Sequence, residues 1–220
     1  MKLELDHLVV AAASLDVGRR WCEATFGVAP EPGGRHVAMA THNLLLSLAS
    51  PRRPRAYLEI IAIDPDGGTP SRRRWFDLDS PALLAQVAKS PVLVHWVARS
   101  DDIDTTAAWL RSAGHDAGEA TAAERQTALG MLRWRITLRA DGCRPADGAV
   151  PLLIAWGAEH PSSTLPARGV VLHELRLGGI AAEIADRLGG IADGMDAAPL
   201  TATFDSPRGR VTLAAPRQGG

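Results

Sequence analysis

Two stretches of the sequence follow one plan and decide the fold: LDHLVVAAASLDVGRRW at residues 5–21 and LVHWVARSDDIDTTAAW at residues 93–109. Each begins with an apolar, β-branched run typical of a strand, then reaches a polar capping position and continues with apolar residues at helical spacing. Placing His7 on His95 gives an offset of 88 residues, since 95 − 7 = 88, and the same offset places Trp21 on Trp109. The two stretches therefore predict a duplicated strand–helix unit.

Short runs with the composition of strands follow each of the two predicted helices. They are HVAMAT (36–41), NLLLSLA (43–49), AYLEIIAI (56–63), ALGMLRWRITLRA (128–140) and VPLLIAWG (150–157). We therefore predict an α+β protein with two βαβββ modules, at residues 1–75 and 90–160, separated by loop-rich segments near 75–89 and 157–169. Residues 169–215 predict a truncated third βαββ segment, packed on the same domain.

Composition excludes several classes of partner. The chain has 220 residues with 24 basic and 25 acidic side chains, so its net charge of −1 provides no field that would recruit nucleic acid or an anionic membrane. Glu4, Asp6 and His7 interrupt the apolar start, so we expect no signal peptide, no membrane span and a cytoplasmic protein. Cys22 and Cys143 form neither a disulfide framework nor a zinc motif, and we interpret them as ordinary thiols.

Two histidines and one carboxylate fall on predicted strands. Alternation along a strand gives three sets that share a face: Leu5, His7 and Val9; Leu93, His95 and Val97; Tyr57, Glu59 and Ile61. An ionised Glu59 among apolar neighbours costs several kcal/mol unless it is paired. Because two histidines and a carboxylate are a typical ligand set for a divalent metal, the pattern predicts a metal site at His7, Glu59 and His95. The alternative is that the histidines are hydrogen-bonded core residues and that an arginine pairs with Glu59.

Two runs of arginine allow a different kind of site. They are PRRPR at residues 51–55 and SRRRW at residues 71–75, and Trp75 adds a surface on which a base could stack. Since the net charge is close to zero, we interpret both runs as solvated loops and expect no nucleic-acid partner.

The duplicated unit, with LDHLVV opening one copy and VLVHWVARSDDID opening the other, resembles the vicinal oxygen chelate superfamily. Within that superfamily, residues 33–64 are similar to the glyoxalase-like domain family, whose first module carries Gly-Gly-x-His, Thr-x-Asn-x-Leu and Tyr-Leu-Glu. LRWRITL and PLLIAWGAEHP are similar to the second module of the family, so the resemblance covers nearly the whole chain. It implies that the two modules form a cupped, eight-stranded mixed sheet around a central cavity.

The resemblance also implies roles for individual residues. Metal enzymes of the superfamily take one ligand from the first strand and one from the last strand of each module, which again indicates His7, Glu59 and His95. Pairing YLEII with LIAWG places Ala155 at the fourth ligand position. Alanine cannot bind a metal, so we do not expect a four-ligand glyoxalase I site.

Further polar residues carry over from the pattern of the first module. His36, Thr41 and Asn43 are expected to line the cavity or to fix a turn, and together with Tyr57 they are predicted to bind substrate. No catalytic residue is assigned.

The resemblance predicts a metal-dependent enzyme that chelates a small molecule through vicinal oxygens. Lyase, isomerase, dioxygenase and hydrolase chemistry all remain open, because a fold does not determine a reaction. The alternatives are a metal-free protein that sequesters a small molecule, of the bleomycin-resistance type, and a scaffold whose cavity is filled by side chains. A homodimer is also open, since members of the superfamily often pair through sheet edges.

Overall fold

The computed structural model describes residues 3–70, 72–127 and 130–217. The first module consists of β1 (Leu3–Ala11), α1 (Leu15–Phe26), β2 (Glu31–His36), β3 (Thr41–Ser47) and β4 (Tyr57–Ile63). A short helix, α2 (Pro81–Val87), connects it to β5 (Val92–Ser100), α3 (Ile103–Ser112), β6 (Glu119–Thr127), β7 (Gly130–Leu138) and β8 (Leu152–Trp156). The C-terminal unit is β9 (Val171–Leu177), α4 (Ala182–Arg187), β10 (Ile191–Ala192), β11 (Leu200–Ser206) and β12 (Gly209–Ala214).

The two modules share one eight-stranded mixed sheet with the strand order β2-β3-β4-β1-β5-β8-β7-β6. Its centre is the antiparallel pair of β1 and β5, in which Leu8 lies opposite Trp96, the residue 88 positions later. On either side of this pair, β4 runs parallel to β1 and β8 runs parallel to β5. The order reads the same from both edges, so the sheet has an internal two-fold pseudosymmetry. The predicted α+β class and cupped sheet are confirmed.

The helices that cover the convex face begin and end where the sequence indicates. Ser14 caps α1 by accepting a hydrogen bond from the Val17 amide at 3.2 Å, and the helix ends at Gly27 with a left-handed φ of 81°. Asp102 caps α3 in the same way, through the Thr105 amide at 3.1 Å. Both helices bury one face against the sheet, which leaves the concave face free to form a cavity.

The core has two parts on opposite faces of the large sheet. The outer cluster lies between the convex face, the helices and the C-terminal sheet, and includes Leu8, Trp96, Phe26, Leu110 and Phe204. The inner cluster lines the concave face, and includes Val9, Val97, Trp75, Trp134 and Ile154. The concave face is thus apolar over most of its area, which makes its few polar side chains conspicuous.

The C-terminal unit forms a separate four-stranded sheet with the order β10-β9-β11-β12. The strands and helix predicted for residues 169–215 are confirmed, and the structure adds β10, which is too short, at two residues, to leave a pattern in the sequence. The connectivity differs from that of the modules, because β9 pairs with the second and third strands of its unit rather than with the last. Phe204 packs edge-on against Phe26 of α1 with ring centroids 5.3 Å apart, so this unit covers the convex face and takes no part in the cup.

A β-bulge precedes each of the two equivalent histidines. The register of β1 and β5 shifts between the pairs Leu5–Ala98 and His7–Val97, which makes Asp6 an extra residue. It shifts again between Val9–His95 and Val10–Leu93, which makes Val94 the extra residue. Asp6 and Val94 are 88 positions apart, so the bulge is part of the repeated design.

The bulges overturn part of the predicted sharing of faces. Leu5 was expected beside His7, and Leu93 beside His95, but both leucines pack in the outer cluster. One extra residue in a strand reverses the alternation beyond it, and a prediction based on strict alternation therefore places the residue before each bulge on the wrong face.

Three elements differ from the sequence prediction in position. HVAMAT is not one strand: β2 ends at His36, a short 3₁₀ helix covers Val37–Met39, and β3 begins at Thr41. β6 was not predicted, because EATAAERQT is poor in β-branched and aromatic residues and forms a strand only through pairing with β7. The segment 75–89 was expected to be loop-rich and contains α2. Within the described residues, none of the helices has the length and apolar character needed to cross a membrane.

Candidate functional site

The concave face of the large sheet encloses a small cavity, here called the inner cavity. It has a volume of about 30 Å³, enough for about two water molecules if each needs 10–15 Å³. Its polar lining consists of His7, His36, Asn43, Tyr57, Glu59 and Arg125. A larger cleft of about 250 Å³, here called the outer cleft, adjoins it and shares with it Leu45, Arg125, Leu132 and Pro161.

His7 and Glu59 face each other in the inner cavity. The parallel register of β1 and β4 pairs His7 with Tyr57 and Val9 with Glu59, so the two groups are diagonal neighbours. Nε2 of His7 lies 3.7 Å from Oε2 of Glu59, and the two residues are only 4% and 5% exposed. This distance exceeds a normal hydrogen bond, so both atoms can contact one further atom that lies beside them in the cavity.

Asp6 holds His7 from behind. Its Oδ1 lies 2.7 Å from Nδ1 of His7, and its Oδ2 accepts from Nε2 of His160 at 3.0 Å and from Nε1 of Trp156 at 2.9 Å. Burial by itself would raise the pKa of Asp6, but hydrogen bonds from His160 and His7 and their charges hold it well below its usual value. An ionised Asp6 can only accept, so Nδ1 of His7 is the donor in this hydrogen bond, and Nε2 is the ring nitrogen that faces Glu59.

Asn43 fixes the carboxylate of Glu59. Its amide donates from Nδ2 to Oε1 of Glu59 at 2.6 Å, while its Oδ1 accepts from the Gly34 amide at 2.7 Å. A Cβ at Gly33 would lie 2.0 Å from Oδ1 of Asn43, so this close approach requires glycine. The Gly-Gly pair of β2 therefore orients Asn43, and Asn43 orients Glu59.

His36 and Thr41 form the wall beside Glu59. Nδ1 of His36 lies 3.1 Å from Oγ1 of the buried Thr41, and Nε2 lies 4.0 Å from Oε1 of Glu59. Burial lowers the pKa of His36 to about 4; Glu59 opposes this shift and Arg125 adds to it. His36 is therefore neutral at physiological pH. Thr41 contacts His36 and is not among the residues that line the cavity.

Tyr57 and an aromatic loop close the cavity. Tyr57 stacks on His7 with ring centroids 4.7 Å apart, and burial raises its pKa well above its usual value, with the charges of Asp6 and Glu59 adding to the effect. The loop after β4 places Trp75 edge-on against His36 at 4.9 Å. Phe76, stacked on Trp75, has a left-handed φ of 59°, unusual for an aromatic residue, and separates this cavity from His95.

His95 has a different environment from His7. Its Nε2 accepts a hydrogen bond from the Leu152 amide at 3.1 Å, where β8 joins β5, and its ring packs on Phe76 with centroids 5.3 Å apart. Burial lowers the pKa of His95 well below its usual value, and the charges of Arg144 and His7 contribute further. A neutral imidazole that accepts at Nε2 carries its proton on Nδ1, so His95 has no free lone pair.

The predicted metal set is thus brought together only in part. His7 and Glu59 each direct an atom into the inner cavity, whereas the lone pair of His95 is used by the backbone. Among residues 3–70, 72–127 and 130–217, no group of three or more His, Cys, Asp or Glu side chains has the arrangement needed to hold a metal ion. As folded here, the three residues do not fit one shared ion, and their role as ligands remains a prediction.

The fourth ligand position is occupied by Leu152 rather than by Ala155. Val9 of β1 pairs with Glu59, and its equivalent, Val97 of β5, pairs with Leu152. Ala155 packs against the outer cluster on the other face of β8. The alignment of YLEII with LIAWG was therefore wrong, but leucine, like alanine, cannot bind a metal.

The comparisons with known proteins agree with this fold. The model of a family described as the glyoxalase-like domain matches residues 5–188. This chain belongs to that family. The resemblance to the glyoxalase-like domain family noted in the sequence is thereby confirmed. No curated protein matches the sequence.

The solved structures that resemble this chain share little of its sequence. A hypothetical protein from Staphylococcus aureus is 15% identical with a TM-score of 0.53, and the match covers 97% of this chain and 86% of that one. The methylmalonyl-CoA epimerase of Mycobacterium tuberculosis is 19% identical with a TM-score of 0.37, over 69% and 85% of the two chains. The epimerase of Streptomyces coelicolor, in complex with 2-nitronate-propionyl-CoA, is 18% identical with a TM-score of 0.42, over 71% and 96%.

Two residues of the site were missed by the sequence analysis. Asp6 was overlooked because consecutive residues of a regular strand point to opposite faces, and only the bulge brings its side chain to His7. Arg125 was overlooked because its strand was not predicted. The sequence signal for Asp6 was an aspartate within an apolar strand, directly before His7, where the second copy of the repeat has Val94 before His95.

Proposed function

We propose that this glyoxalase-like protein is an enzyme that moves a proton on a small molecule bound in the cup. The observation that carries the proposal is the gap of 3.7 Å between Nε2 of His7 and Oε2 of Glu59. A carboxylate and an imidazole that face one position, both buried and both fixed from behind, can transfer a proton to and from a bound molecule.

Each residue has a defined part in this proposal. Glu59, held by Asn43, is the base that takes a proton from one atom of the substrate and returns it to the same molecule, and Nε2 of His7 forms a hydrogen bond to that molecule. Asp6 acts as a positioning residue, because its hydrogen bond fixes the ring and the tautomer of His7. The apolar lining and the loop with Trp75 exclude water, which strengthens the electrostatic interactions inside.

A metal-dependent form of this proposal uses the same cavity. The free atoms of His7 and Glu59 supply two of the three predicted ligands for a divalent cation, which when bound would act as a Lewis acid. His95 can join them only by releasing the Leu152 amide, which leaves a buried donor unpaired at a cost of about 1–3 kcal/mol. Elemental analysis of untagged protein tests this form: one metal per chain, lost in both His7→Ala and His95→Ala, would support the predicted set.

Binding without turnover is the second candidate. The inner cavity is small and largely closed, while the adjoining outer cleft has about 250 Å³, which favours a protein that holds a ligand without reacting with it. In that case ligands would quench tryptophan fluorescence, because Trp75, Trp134 and Trp156 line the inner cavity, and no ligand would be converted.

Proton exchange distinguishes the two candidates. Small carbonyl compounds with an α-hydrogen, such as pyruvate and methylglyoxal, would be incubated with the protein in deuterium oxide and followed by proton NMR. The proposal predicts catalysed exchange for at least one of them, reduced at least 100-fold in Glu59→Gln and in His7→Gln. His173→Asn is the control, because His173 lies on the C-terminal sheet away from the cup. Equal exchange in Glu59→Gln and wild type would refute the role of Glu59.

A further inference from the structure

We propose that Arg125 is the anchor for a carboxylate group of the ligand, and that the ligand is therefore a small monocarboxylate. This inference rests on the proposed function only for the location of the site. Its own basis is a partly buried guanidinium whose Nε and Nη1 have no hydrogen-bond partner, placed where the inner cavity meets the outer cleft.

Arg125 points into the cup from the far edge of the sheet. It pairs with Leu132 across the hairpin of β6 and β7, and side chains of directly opposed residues lie on the same face. Leu132 belongs to the inner cluster. A Cβ at Gly34 would lie 2.4 Å from Nη1 of Arg125, so the arginine crosses from the second module to the Gly-Gly segment of the first. It lines both the inner cavity and the outer cleft.

The guanidinium group has donors to spare. Within the described part of the chain, Nε and Nη1 of Arg125 are buried and have no hydrogen-bond partner. Trp75, which lines the same inner cavity, also has a buried Nε1–H without a partner. Buried donors, and charged donors above all, are costly to leave unpaired. An acceptor supplied from outside the chain would satisfy them.

The chemistry of the surroundings indicates which acceptor fits. An arginine offers two forks that match the two oxygens of a carboxylate, Nε with Nη2 and Nη1 with Nη2, so a carboxylate can pair with either of the unpaired nitrogens. Arg125 is the one arginine or lysine among the described residues that line the outer cleft, and Glu159 at the rim opposes a group with higher negative charge. A single negative charge is therefore matched better than the double charge of a phosphate monoester.

The size of the cleft limits the rest of the ligand. At about 250 Å³ it lies just below the range of roughly 300–1,000 Å³ that is common for drug-sized ligands. Its shared walls are apolar, with Leu45, Leu132 and Pro161 between the two spaces. A short acid with an apolar body would thus place its carboxylate on Arg125 and lie beside His7 and Glu59.

Matched pairs of acid and amide test the inference. Benzoate and benzamide, phenylacetate and phenylacetamide, and inorganic phosphate would be titrated into the wild-type protein by ligand-observed NMR and calorimetry. We expect at least one acid to bind at least tenfold more tightly than its amide and more tightly than phosphate. Arg125→Gln should remove this preference, and Arg125→Lys should retain only part of it.

A control variant distinguishes an anchor at Arg125 from a general effect of positive charge. Arg133→Gln removes an exposed arginine from the same hairpin, where it pairs with Glu124, and should leave the preference intact. The titrations measure binding without turnover, so a failure of the proposed chemistry would not be mistaken for a failure of the anchor. Arg125→Gln should keep the melting temperature of the wild type or raise it, whereas an arginine with a purely structural role would lower it on replacement.

Three results would overturn the inference. These are equal affinity for acids and amides across the panel, tighter binding of phosphate than of any acid, and an unchanged preference in Arg125→Gln.

Discussion

Asp6 and His7 are neighbours in the sequence, and their side chains are nevertheless joined by a hydrogen bond of 2.7 Å between Oδ1 and Nδ1. In a regular strand the two would point to opposite faces. The β-bulge at Asp6 brings them together, and the equivalent bulge in the second module carries Val94 in the same place. The repeat has thus diverged at one position into a buried acid that orients His7, and His95 has no such partner.

Removing the charge of Asp6 should destabilise the fold. Three donors converge on this buried carboxylate, and an amide in Asp6→Asn offers only one oxygen to them. We expect a loss of about 3–5 kcal/mol in the free energy of unfolding, measured with urea. Asp104→Asn is the matched control, because Asp104 is exposed and pairs with Arg135 at the surface, where a pair contributes under about 1 kcal/mol. Equal losses in the two variants would contradict the role given to Asp6.

The two adjacent glycines of β2 should differ in their tolerance of alanine. A Cβ at Gly33 would meet Asn43 at 2.0 Å and break its link to Glu59, whereas a Cβ at Gly34 would meet the end of the flexible Arg125 side chain. We expect Gly33→Ala to cost about 1–3 kcal/mol in the free energy of unfolding, and Gly34→Ala to cost less. Chemical denaturation of the two variants side by side measures this. A larger loss in Gly34→Ala would show that the Asn43 link is not the constraint.

Acid should destabilise the protein through its buried histidines. The folded-state pKa values of His36 and His95 lie below the ordinary value of 6.5, chiefly because both are buried, so below that pH only the unfolded state takes up these protons. Stability should therefore fall as the pH drops from about 6.5 towards 4, by about 1.4 kcal/mol per pH unit for each histidine.

His95→Gln isolates one of these contributions. The glutamine oxygen can accept from the Leu152 amide, so the hydrogen bond survives while the titrating group is lost. The free energy of unfolding should change less between pH 6 and pH 5 in this variant than in wild type. The two changes should differ by about 1.4 kcal/mol. The same difference in both proteins would mean that His95 takes up a proton in the folded state.

The sequence predicted the architecture well, because the fold depends on features that repeat. The offset that relates His7 to His95 also relates Leu8 to Trp96, and these two equivalent residues pair with each other at the centre of the sheet. The cap at Ser14 and the glycine at Gly27 likewise determine where α1 begins and ends. Each of these is a local or a repeated signal, and such signals can be recognised in a sequence without knowledge of how the elements pack.

The details of the site depend on β-bulges and on pairing between distant strands, which the alternation of residues along one strand does not reveal. A bulge directs Leu5 away from His7 and brings Asp6 to it. The pairing of β5 with β8 places Leu152, rather than Ala155, opposite Val97. Arg125 lies on β6, which has no strand pattern in its sequence and completes the sheet through its pairing with β7. Pairing between distant strands determines all three, so they could not be read from one strand at a time.

The most direct measurement of the central claim is a crystal structure of the protein with a bound carboxylate from the acid panel. We predict that the occupant contacts Nε2 of His7 and Oε2 of Glu59, with its carboxylate on Arg125, while Nε2 of His95 still accepts from the Leu152 amide. A structure in which His95 has turned to share the occupant with His7, or in which the acid binds only outside the cup, would contradict the account.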